Sequence, residues 1–358
     1  MMSTDFHFRD KIPVAILGAT GCVGQKFIQL LETHPWFQIV ALCASERSVG
    51  KKYRDAVNWH MTTPIPSAIA EMIVQPCQTP LSELCSLAFS GLDPSVAGEV
   101  EKHFAEEGYI VVSNSRNHRM DPTVPLVIGE VNSDHLDMVK GQKFKKGMIV
   151  TNPNCSVLGL VVALKPLFDN FGIEAIQVFT MQAISGAGYP GVASLDILDN
   201  VIPFVRGEEE KLETEPLKIL GSLQSDLSII NADIVISAQC NRVPVTNGHT
   251  ECVSLRLKKK VEPEEIIRAW NDFKGVPQEL NLPTAPFQAI HYFHQENYPQ
   301  PRLHSMLDKG MGVSVGRLRK CPLLDYKFTL LSHNTIRGAA GAALLNAELL
   351  VKKGFVFW

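Results

Sequence analysis

A turn with regularly spaced glycines near the start of the chain restricts the fold more than any other feature of the sequence. The apolar run that begins at Ile12 ends at Gly18, and glycines recur at positions 21 and 24 before apolar residues follow at helical spacing. This order predicts a β-strand, a tight turn and an α-helix. Short apolar runs then alternate with helical or polar segments as far as about residue 150, which is typical of a doubly wound parallel sheet.

A region of different character follows this predicted α/β part. Residues 156–167 are predicted to be helical, and longer alternating runs further on favour an antiparallel sheet with one covered face. The Ala- and Leu-rich segment after Arg337 predicts a C-terminal helix. At 358 residues the chain is longer than a single core usually allows. We therefore expect two domains, residues 1–154 completed by residues 336–358, and residues 155–335.

The composition argues against several classes of function. Hydrophobic residues make up 45% of the chain and charged residues 20%, which is typical of a folded globular protein. The net charge of −3 argues against nucleic acid and anionic membranes as partners. A charged N-terminus and the absence of an apolar run of about 18 residues predict a cytoplasmic protein without a membrane span. The eight cysteines lack the spacing of a metal site, so we expect reduced thiols and no metal.

The glycine turn also predicts a ligand. The main-chain N–H groups of such a turn can approach a dinucleotide pyrophosphate, whose charge is favoured at the start of the following helix. After the second predicted strand, where NAD-binding proteins usually place an acid, the sequence has Ser45, Glu46, Arg47 and Ser48. A guanidinium and two hydroxyls suit a 2′-phosphate, which favours NADP(H) over NAD and Arg47 as the main contact. Two alternatives stay open: Glu46 bonds an ordinary ribose, or the turn packs helix on strand without a ligand.

Cys155 is the candidate nucleophile. It follows Pro153 and Asn154 between a predicted strand and a predicted helix, and the start of a helix stabilises a thiolate. His249, in a segment where Pro and Gly interrupt two strands, is the candidate base. His333 also ends a strand and is the nearest competitor, although a structural role is favoured for it. Taken alone, Cys155 fits a buried structural cysteine at least as well, because that is the usual role of a free cysteine.

Three charged residues are candidate substrate contacts. Glu215 and Lys218 are three apart in a predicted helix, which places a carboxylate and an ammonium side by side for a substrate amino group and an anion. Arg119 follows a strand at the carboxyl edge of the sheet, where open α/β folds bind ligands, and could hold a phosphate. The acidic segment 207–218 is also compatible with a solvated helix start, and Arg119 with a salt-bridged loop.

In their order along the chain, these segments resemble the aspartate-β-semialdehyde dehydrogenase family. The resemblance rests on GATGCVGQKF, SNSRNHRM, PNCS, QAISGAGYPG, RVPVTNGH and GRLRK, and two of them, PNCS and RVPVTNGH, resemble the archaeal and fungal branch. The resemblance implies an N-terminal Rossmann-like domain with a doubly wound parallel sheet. It implies next to it an α+β catalytic and dimerisation domain of the glyceraldehyde-3-phosphate dehydrogenase-like type.

The resemblance also implies roles for individual residues. Cys155 is then the nucleophile and His249 the acid/base. The residues implied in substrate binding are Arg242 for the α-carboxylate, Glu215 or the neighbouring Glu213 for the α-amino group, Asn154 and Gln182 for the acyl group, and Arg119 and Lys218 for phosphate. The residues implied in NADP binding are Gly18, Thr20, Gly21, Cys22, Val23, Ser45, Arg47, Ser48, Ser185, Gly188 and Asn334.

The reaction implied by the resemblance is the NADPH-dependent reduction of L-aspartyl-4-phosphate to L-aspartate-4-semialdehyde, through a Cys155 thioester and with release of phosphate. It belongs to the biosynthesis of lysine, threonine and methionine, and the resemblance implies a homodimer or homotetramer. Two alternatives stay open. A related reductase would act on N-acetylglutamyl phosphate or malonyl-CoA with the same thiol chemistry, but an N-acetylated substrate has no ammonium for Glu215. A non-catalytic dinucleotide-sensing protein needs no pair of Cys155 and His249.

Overall fold

Two six-stranded sheets form the framework of the structure, a computed structural model that describes residues 11–81, 85–144 and 146–356. The N-terminal segment MMSTDFHFRD, which entered the prediction of a cytoplasmic protein, lies outside the described residues. The strands of the first sheet are β1 (Ile12–Leu17), β2 (Phe37–Ala44), β3 (Gln75–Pro76), β4 (Leu87–Ser90), β5 (Ile110–Ser113) and β6 (Met148–Thr151). The strands of the second sheet are β7 (Ile173–Gln182), β10 (Val235–Arg242), β11 (His249–Leu257), β12 (Ile290–Phe293), β13 (Val313–Lys320) and β14 (Tyr326–Ser332). Two further strands, β8 (Ser222–Leu223) and β9 (Ile229–Ile230), form a short separate ribbon.

Helices cover the sheets and carry parts of the cleft described below. They are α1 (Cys22–Leu31), α2 (Tyr53–Ala56), α3 (Ser67–Ala70), α4 (Pro94–Glu106), α5 (Gly129–Asn132), α6 (Cys155–Phe171), α7 (Ser194–Ile197), α8 (Glu208–Ile219), α9 (Pro263–Asp272), α10 (Val276–Glu279), α11 (Pro301–His304) and α12 (Gly341–Lys352). In the part of the chain that the structure describes, none of them combines the length and the apolar character needed to cross a bilayer.

The first sheet has the order β3-β2-β1-β4-β5-β6, and every neighbouring pair is parallel. All residues of β4 and β5 are buried, because helices cover both faces of the sheet. The strand order reverses between β1 and β4, and ligands of doubly wound sheets bind at such a reversal. The predicted doubly wound parallel sheet is confirmed, and its turn at Gly18 lies at this reversal.

The second sheet is mixed, and the prediction of an antiparallel sheet was wrong in this respect. Its order is β10-β7-β11-β14-β13-β12, and the two outer pairs, β10 with β7 and β12 with β13, are parallel. The chain passes from β7 to β10 through α8, and a crossover of that length returns a strand in the same direction. Helices α6, α8 and α9 pack on one face, where Trp270 and Leu212 are fully buried. Phe179 and Val235 are exposed on the sheet.

The C-terminal helix returns to the first core. A π-helical turn (Ile336–Ala340) leads into α12, whose residues are almost all buried. Leu344 and Leu349 of α12 belong to the same apolar cluster as Val14 and Phe89 of the first sheet. The chain crosses from the first sheet to the second between β6 and β7 and crosses back after β14, and residues of both connections border the same cleft.

Candidate active site

A cleft of about 610 Å³ lies where the two crossings meet. Its wall combines the start of α1, the start of α6, the loop after β7 and the loop after β14. Residues predicted for the cofactor and for the chemistry therefore border one cavity: Cys22, Val23, Cys155, Ser185, Gly188 and Asn334.

Cys155 and His249 face each other at hydrogen-bonding distance. Cys155 is the first residue of α6, and Asn154 caps this helix through its Oδ1, which accepts from Ser156 N at 3.0 Å. His249 is the first residue of β11 and is fully buried. The Cys155 Sγ lies 3.2 Å from His249 Nε2. A thiol and an imidazole that are 94 residues apart in sequence thus form the pair that nucleophilic catalysis requires.

The charge state of Cys155 differs from the thiolate expected at a helix start. Burial, and to a smaller extent the nearby Glu208 carboxylate, raise the pKa of the Cys155 thiol to about 12. Three cations act in the opposite direction and are outweighed: Arg119, Lys211 and Arg242. The sulfur is therefore a thiol at neutral pH.

No group of three or more His, Cys, Asp or Glu residues in the described ranges is arranged to hold a metal ion.

His249 is neutral as well. Burial lowers its pKa to about 3, the Glu208 carboxylate opposes this shift, and Arg242 and His333 add to it. His333 has a separate task, since its Nδ1 accepts from the main-chain N–H groups of Thr335 and Ile336, both at 3.3 Å. The structural role favoured for His333 thus agrees with its contacts.

Glu208 is a central acid of the site, and sequence reasoning missed it. It is buried, and its carboxylate accepts from Asn154 Nδ2 at 2.9 and 3.0 Å, from Gln182 Nε2 at 3.3 Å and from Lys211 Nζ at 2.7 Å. Burial raises the pKa of Glu208, but the Lys211 ammonium and hydrogen bonds from Lys211 and Asn154 outweigh burial and hold this pKa below its usual range. Glu208 is therefore ionised at neutral pH.

Glu215 and Lys218 are occupied by other parts of the protein. Glu215 is 2% exposed, and its carboxylate accepts from Arg119 Nη1 at 2.9 Å and from Asn154 N at 2.7 Å. The Lys218 Nζ donates to the main-chain oxygens of Arg119, Asp121 and Val124 at 2.7–2.8 Å, which uses all its N–H groups. These contacts argue against the predicted roles of Glu215 at the substrate amino group and of Lys218 at phosphate.

A repeated spacing explains the difference. Glu208 and Lys211 are three residues apart, as are Glu215 and Lys218, and the two pairs lie about two helical turns apart on the same face of α8. The pair in the first turn is the one whose charges act on the Cys155 thiol. The sequence signal that could have identified this pair is Gly207. Its φ of 68° is a conformation that glycine favours, and it marks the start of α8, directly before Glu208.

The two predicted arginines are held by different segments of the chain. Arg119 borders the cleft, donates from Nη1 to Glu215 and from Nη2 to Asn114 O at 2.9 Å, and its Nε has no partner among the described residues. Arg242, the last residue of β10, donates from Nη1 to Ala183 O at 2.7 Å. Gly186 packs against Arg242 and His249, because a Cβ at Gly186 would lie 2.9 Å from Arg242 Nη1. Both guanidinium groups are thus held by main-chain carbonyls.

The predicted cofactor turn has features that fit a dinucleotide. Gly18 has a φ of 80°, and a Cβ there would lie 2.8 Å from Gly91 O. Gly21 is the N-cap of α1, and no side chain caps this helix. Cys22 and Val23 in its first turn border the cleft. Unpaired N–H groups at an open helix start favour an anion such as a pyrophosphate, so the turn fits the predicted ligand.

Thr20 belongs to the same turn, where its carbonyl accepts from Gln25 Nε2 at 3.0 Å. The remaining predicted cofactor residues lie at two other places. After β2, Ser45 and Arg47 are exposed and Ser48 is buried, in a turn where Ser48 N donates to Ser45 O at 2.8 Å. In the loops after β7 and β14, Asn334 Nδ2 donates to Ser185 Oγ at 2.8 Å and Asn334 Oδ1 accepts from Gly248 N at 2.9 Å, and Gly188, which also borders the cleft, has a φ of 72°.

Lys26 was not predicted, although it borders the same cleft. It lies one turn after the open start of α1, its Nζ donates to Gln29 Oε1 at 2.8 Å, and burial lowers its pKa. The only signal in the sequence was its spacing of three from Val23, which places both side chains on one face of the helix.

Two family models match the chain. One, described as the NAD binding domain of semialdehyde dehydrogenase, matches residues 13–139, and the other, described as its dimerisation domain, matches residues 164–337. The first matched segment contains β2 to β5 and nearly all of β1, and the second contains every strand of the second sheet.

Relatives and solved structures agree with these matches. The chain is 50% identical to the aspartate-semialdehyde dehydrogenase of Schizosaccharomyces pombe over 352 residues (96% of this chain, 99% of the relative) and 48% identical to that of Archaeoglobus fulgidus over 346 residues (96% and 99%). The structure is similar to that of the Candida albicans enzyme with NADP (TM-score 0.90, 46% identity, 97% of this chain, 100% of the other). It is also similar to Vibrio cholerae aspartate semialdehyde dehydrogenase II complexed with ASA (TM-score 0.76, 27% identity, 96% and 99%). The predicted likeness to fungal and archaeal proteins is confirmed, and the chain belongs to the aspartate-semialdehyde dehydrogenase family.

Proposed function

We propose that this protein reduces L-aspartyl-4-phosphate to L-aspartate-4-semialdehyde with NADPH and releases phosphate, in a reversible reaction that serves the biosynthesis of lysine, threonine and methionine. The observation that carries the proposal is the contact of 3.2 Å between Cys155 Sγ and His249 Nε2 in a cleft shared with the open start of α1. Membership of the aspartate-semialdehyde dehydrogenase family supports the substrate.

The chemistry proceeds through the sulfur of Cys155. It attacks the acyl carbon, the bond from that carbon to the phosphate oxygen breaks, and a thioester results. A thioester carbonyl is electrophilic and its thiolate leaves readily, so covalent catalysis divides one hard reduction into two easier steps. The nicotinamide, when bound, supplies the hydride for the second step. At the start of α6 the N–H groups of Asn154 and Ser156 are already bonded, so the Cys155 N–H is the main-chain group that stabilises negative charge on the acyl oxygen, and such a donor is worth about 3 kcal/mol.

Substrate recognition follows from the charges around the sulfur. Arg242 binds the α-carboxylate, and Glu208 takes the role at the α-amino group for which Glu215 was predicted. Asn154 and Gln182 hold the Glu208 carboxylate through their amide groups, which links their predicted role at the acyl group to this acid. Lys211 and Arg119 bind phosphate. The Lys211 Nζ has one described hydrogen bond, to Glu208, and this supports its assignment in place of Lys218.

The substitution Glu208→Gln tests this assignment. We expect the KM for aspartate semialdehyde to rise roughly 10- to 100-fold, because a charge-assisted hydrogen bond to the ammonium is lost. The kcat should change less. Steady-state kinetics with Glu210→Gln as the control measures this, since Glu210 is exposed in the same helix turn. An unchanged KM in Glu208→Gln would show that a different acid binds the amino group.

The cofactor belongs to the first domain in this proposal. That domain comprises residues 1–154 and 336–358, and residues 155–335 form the catalytic and dimerisation domain. The burial of α12 in the core of the first sheet supports this division. The residues proposed to hold NADP are Gly18, Thr20, Gly21, Cys22, Val23, Ser45, Arg47, Ser48, Ser185, Gly188 and Asn334, with Lys26 beside them.

Arg47 is the proposed contact for the 2′-phosphate. It is exposed and has no hydrogen bond or ion pair with any described residue, so its guanidinium is available. Arg47→Ala should raise the KM for NADPH about 10-fold or more and change the KM for NADH less than about twofold. Lys52→Ala is the matched control, because Lys52 Nζ is paired with Glu71 at 2.7 Å. Equal effects on both cofactors would identify Arg47 as a structural residue.

A phosphate-dependent assay of NADP reduction tests the function itself. Aspartate semialdehyde, N-acetylglutamate semialdehyde and malonate semialdehyde are compared at equal concentrations. We expect reduction only with aspartate semialdehyde and phosphate, because Glu208 offers a carboxylate to a free ammonium. Preference for the acetylated compound would favour the sibling reductase, and reduction without phosphate would rule out the acyl phosphate.

The second sheet supports assembly into a homodimer. Phe179, Val235, Leu195 and Phe204 are apolar and exposed, and they belong to the region that matches the dimerisation domain. We propose that a second copy of the chain covers these exposed apolar residues, and analytical ultracentrifugation distinguishes a dimer from a tetramer. The eight cysteines, all described and all without disulfides, fit a cytoplasmic location.

A further inference from the structure

The π-helical turn Ile336–Ala340 packs directly on the nucleophile. A Cβ placed on Gly338 would lie 2.6 Å from Cys155 Cβ, 2.9 Å from Cys155 Cα and 3.2 Å from Cys155 O. Carbon atoms in contact are normally about 3.5–4.0 Å apart, so no larger residue fits there without a shift of the main chain. We propose that Gly338 is a positioning residue of the reaction: its bare main chain sets where Cys155 lies in the cleft, and a side chain at this position would displace the sulfur.

The need for glycine at this position comes from the contact and not from the backbone conformation. Gly338 is not one of the glycines with a positive φ, so an alanine could adopt the same main-chain conformation. The three atoms nearest to the missing Cβ all belong to Cys155. The first residue of α6 is therefore what excludes a side chain at Gly338.

The hydrogen bonds of the turn are those of a π-helix. Gly338 N donates to His333 O at 2.9 Å and Ala340 N donates to Thr335 O at 3.4 Å, in each case to the carbonyl five residues earlier. Such turns are rare in proteins and occur frequently at functional sites. The wide turn therefore agrees with a role at the nucleophile beside it.

Two contacts hold the turn in place. Arg337 Nη1 donates to Glu130 Oε1 at 2.8 Å, in an ion pair whose side chains are 1% and 0% exposed. Ala339 O accepts from Asn152 Nδ2 at 3.2 Å, and the same amide group donates to Asn114 Oδ1 at 2.9 Å. The turn cannot move away from α6 without breaking a buried ion pair, and removal of one partner from such a pair is strongly unfavourable.

Of the two sides of the contact, the nucleophile is the one that yields more readily. Cys155 is the first residue of α6, where main-chain N–H groups have no partner within the helix. A methyl group at position 338 would therefore push Cys155 out of its place before it moved the turn. The sulfur and the Cys155 N–H, which the proposed function assigns to the acyl oxygen, would move together.

The inference rests on the proposed function and deepens it. Gly338 borders the cleft together with Cys155 and with Cys22 and Val23 at the open start of α1. The sulfur must first reach the acyl carbon of the substrate and then hold the thioester within reach of the hydride. A misplacement of about 1 Å can lower the rate of such a reaction about 100-fold. The packing of Gly338 thus bears on both chemical steps.

Kinetics of Gly338→Ala test the role in the reaction. We expect kcat with NADPH and L-aspartyl-4-phosphate to fall about 100-fold or more, while the Kd for NADPH in a fluorescence titration stays within about threefold. The control is Gly141→Ala, because a Cβ at Gly141 would meet only Leu227, at 3.4 Å or more. It should keep the activity of the wild type within about twofold. A similarly small change of kcat in Gly338→Ala, with the wild type active, would overturn the proposal.

A double-mutant cycle tests the contact without any turnover. Gly338→Ala is made in the wild type and in Cys155→Gly, and the midpoints of thermal unfolding are compared. We expect a smaller loss in Cys155→Gly, because this background lacks the Cβ that the methyl would meet at 2.6 Å. If Gly338→Ala alone does not fold, recovery of the fold in the double variant gives the same support. Equal losses in both backgrounds, or failure of both variants to fold, would contradict the proposal.

The two experiments separate this inference from the proposed function. An inactive wild type would refute the proposed substrate, and the thermal midpoints would still decide whether Cys155 is the group that resists the methyl. Coupling in the cycle together with an unchanged kcat would show a contact that matters for the fold alone, and the positioning role would then be wrong.

Discussion

Cys155→Ala is expected to abolish the oxidation of NADPH with L-aspartyl-4-phosphate. Removing the sulfur leaves no nucleophile near His249 Nε2, and the loss of a catalytic nucleophile costs on the order of four to six orders of magnitude in kcat. Binding of NADPH should be nearly unchanged, because the proposed cofactor contacts do not include the sulfur. Stopped assays for turnover and fluorescence titration for binding give the two readouts.

The matched control for this substitution is Cys321→Ala. Cys321 lies in the turn between β13 and β14, at the end of the second sheet opposite His249. It should keep the activity of the wild type within about twofold, as substitutions away from a site usually do. Turnover retained in Cys155→Ala would rule out the thioester, and a loss of NADPH binding would show that the sulfur also supports the fold of the cleft.

Glu215→Leu is expected to destabilise the protein by about 3–5 kcal/mol, the range for breaking a buried ion pair by removal of one partner. The Arg119 and Glu215 side chains are 9% and 3% exposed, so the guanidinium would be left without a counter-charge in a place that water barely reaches. The main-chain N–H of Asn154 would lose its acceptor as well. Urea denaturation followed by tryptophan fluorescence measures the shift of the midpoint.

Glu210→Leu serves as the control for this experiment. It lies in the same helix and is exposed, so its effect on the free energy of unfolding should stay within about 0.5 kcal/mol. If Glu215→Leu is as stable as the wild type but has a much higher KM for aspartate semialdehyde, Glu215 is a substrate ligand, and the reassignment to Glu208 is wrong.

Local patterns in the sequence were sufficient for several parts of the structure. Apolar runs of strand length around glycines predicted the parallel sheet, because strands buried on both faces carry continuous apolar residues. The helix predicted over residues 156–167 begins at Cys155 in the structure, with Asn154 as its N-cap. These predictions depended only on residues close together in the chain.

Other parts could not be predicted for a physical reason. Glu208 and Glu215 have the same spacing to a lysine and lie on the same face of α8, so no local rule decides which one is near the sulfur. A thiolate at Cys155 was predicted from the helix start and a nearby base, whereas burial and the Glu208 carboxylate raise the pKa of this thiol in the structure. The direction of the outer strands of the second sheet depends on the path of the connections between strands. The alternation of apolar and polar residues carries no information about that path.

The sequence by itself therefore determined the parallel sheet, the position of the glycine turn and which thiol lies at a helix start. The tertiary structure alone decided which groups meet: His249 with Cys155, Glu208 with Asn154 and Gln182, and the Ala183 N–H with the imidazole. Backbone conformation depends on neighbours in sequence, but charge states and hydrogen bonds depend on groups that packing brings together from distant segments. For that reason the nucleophile could be named from the sequence, and its protonation could not.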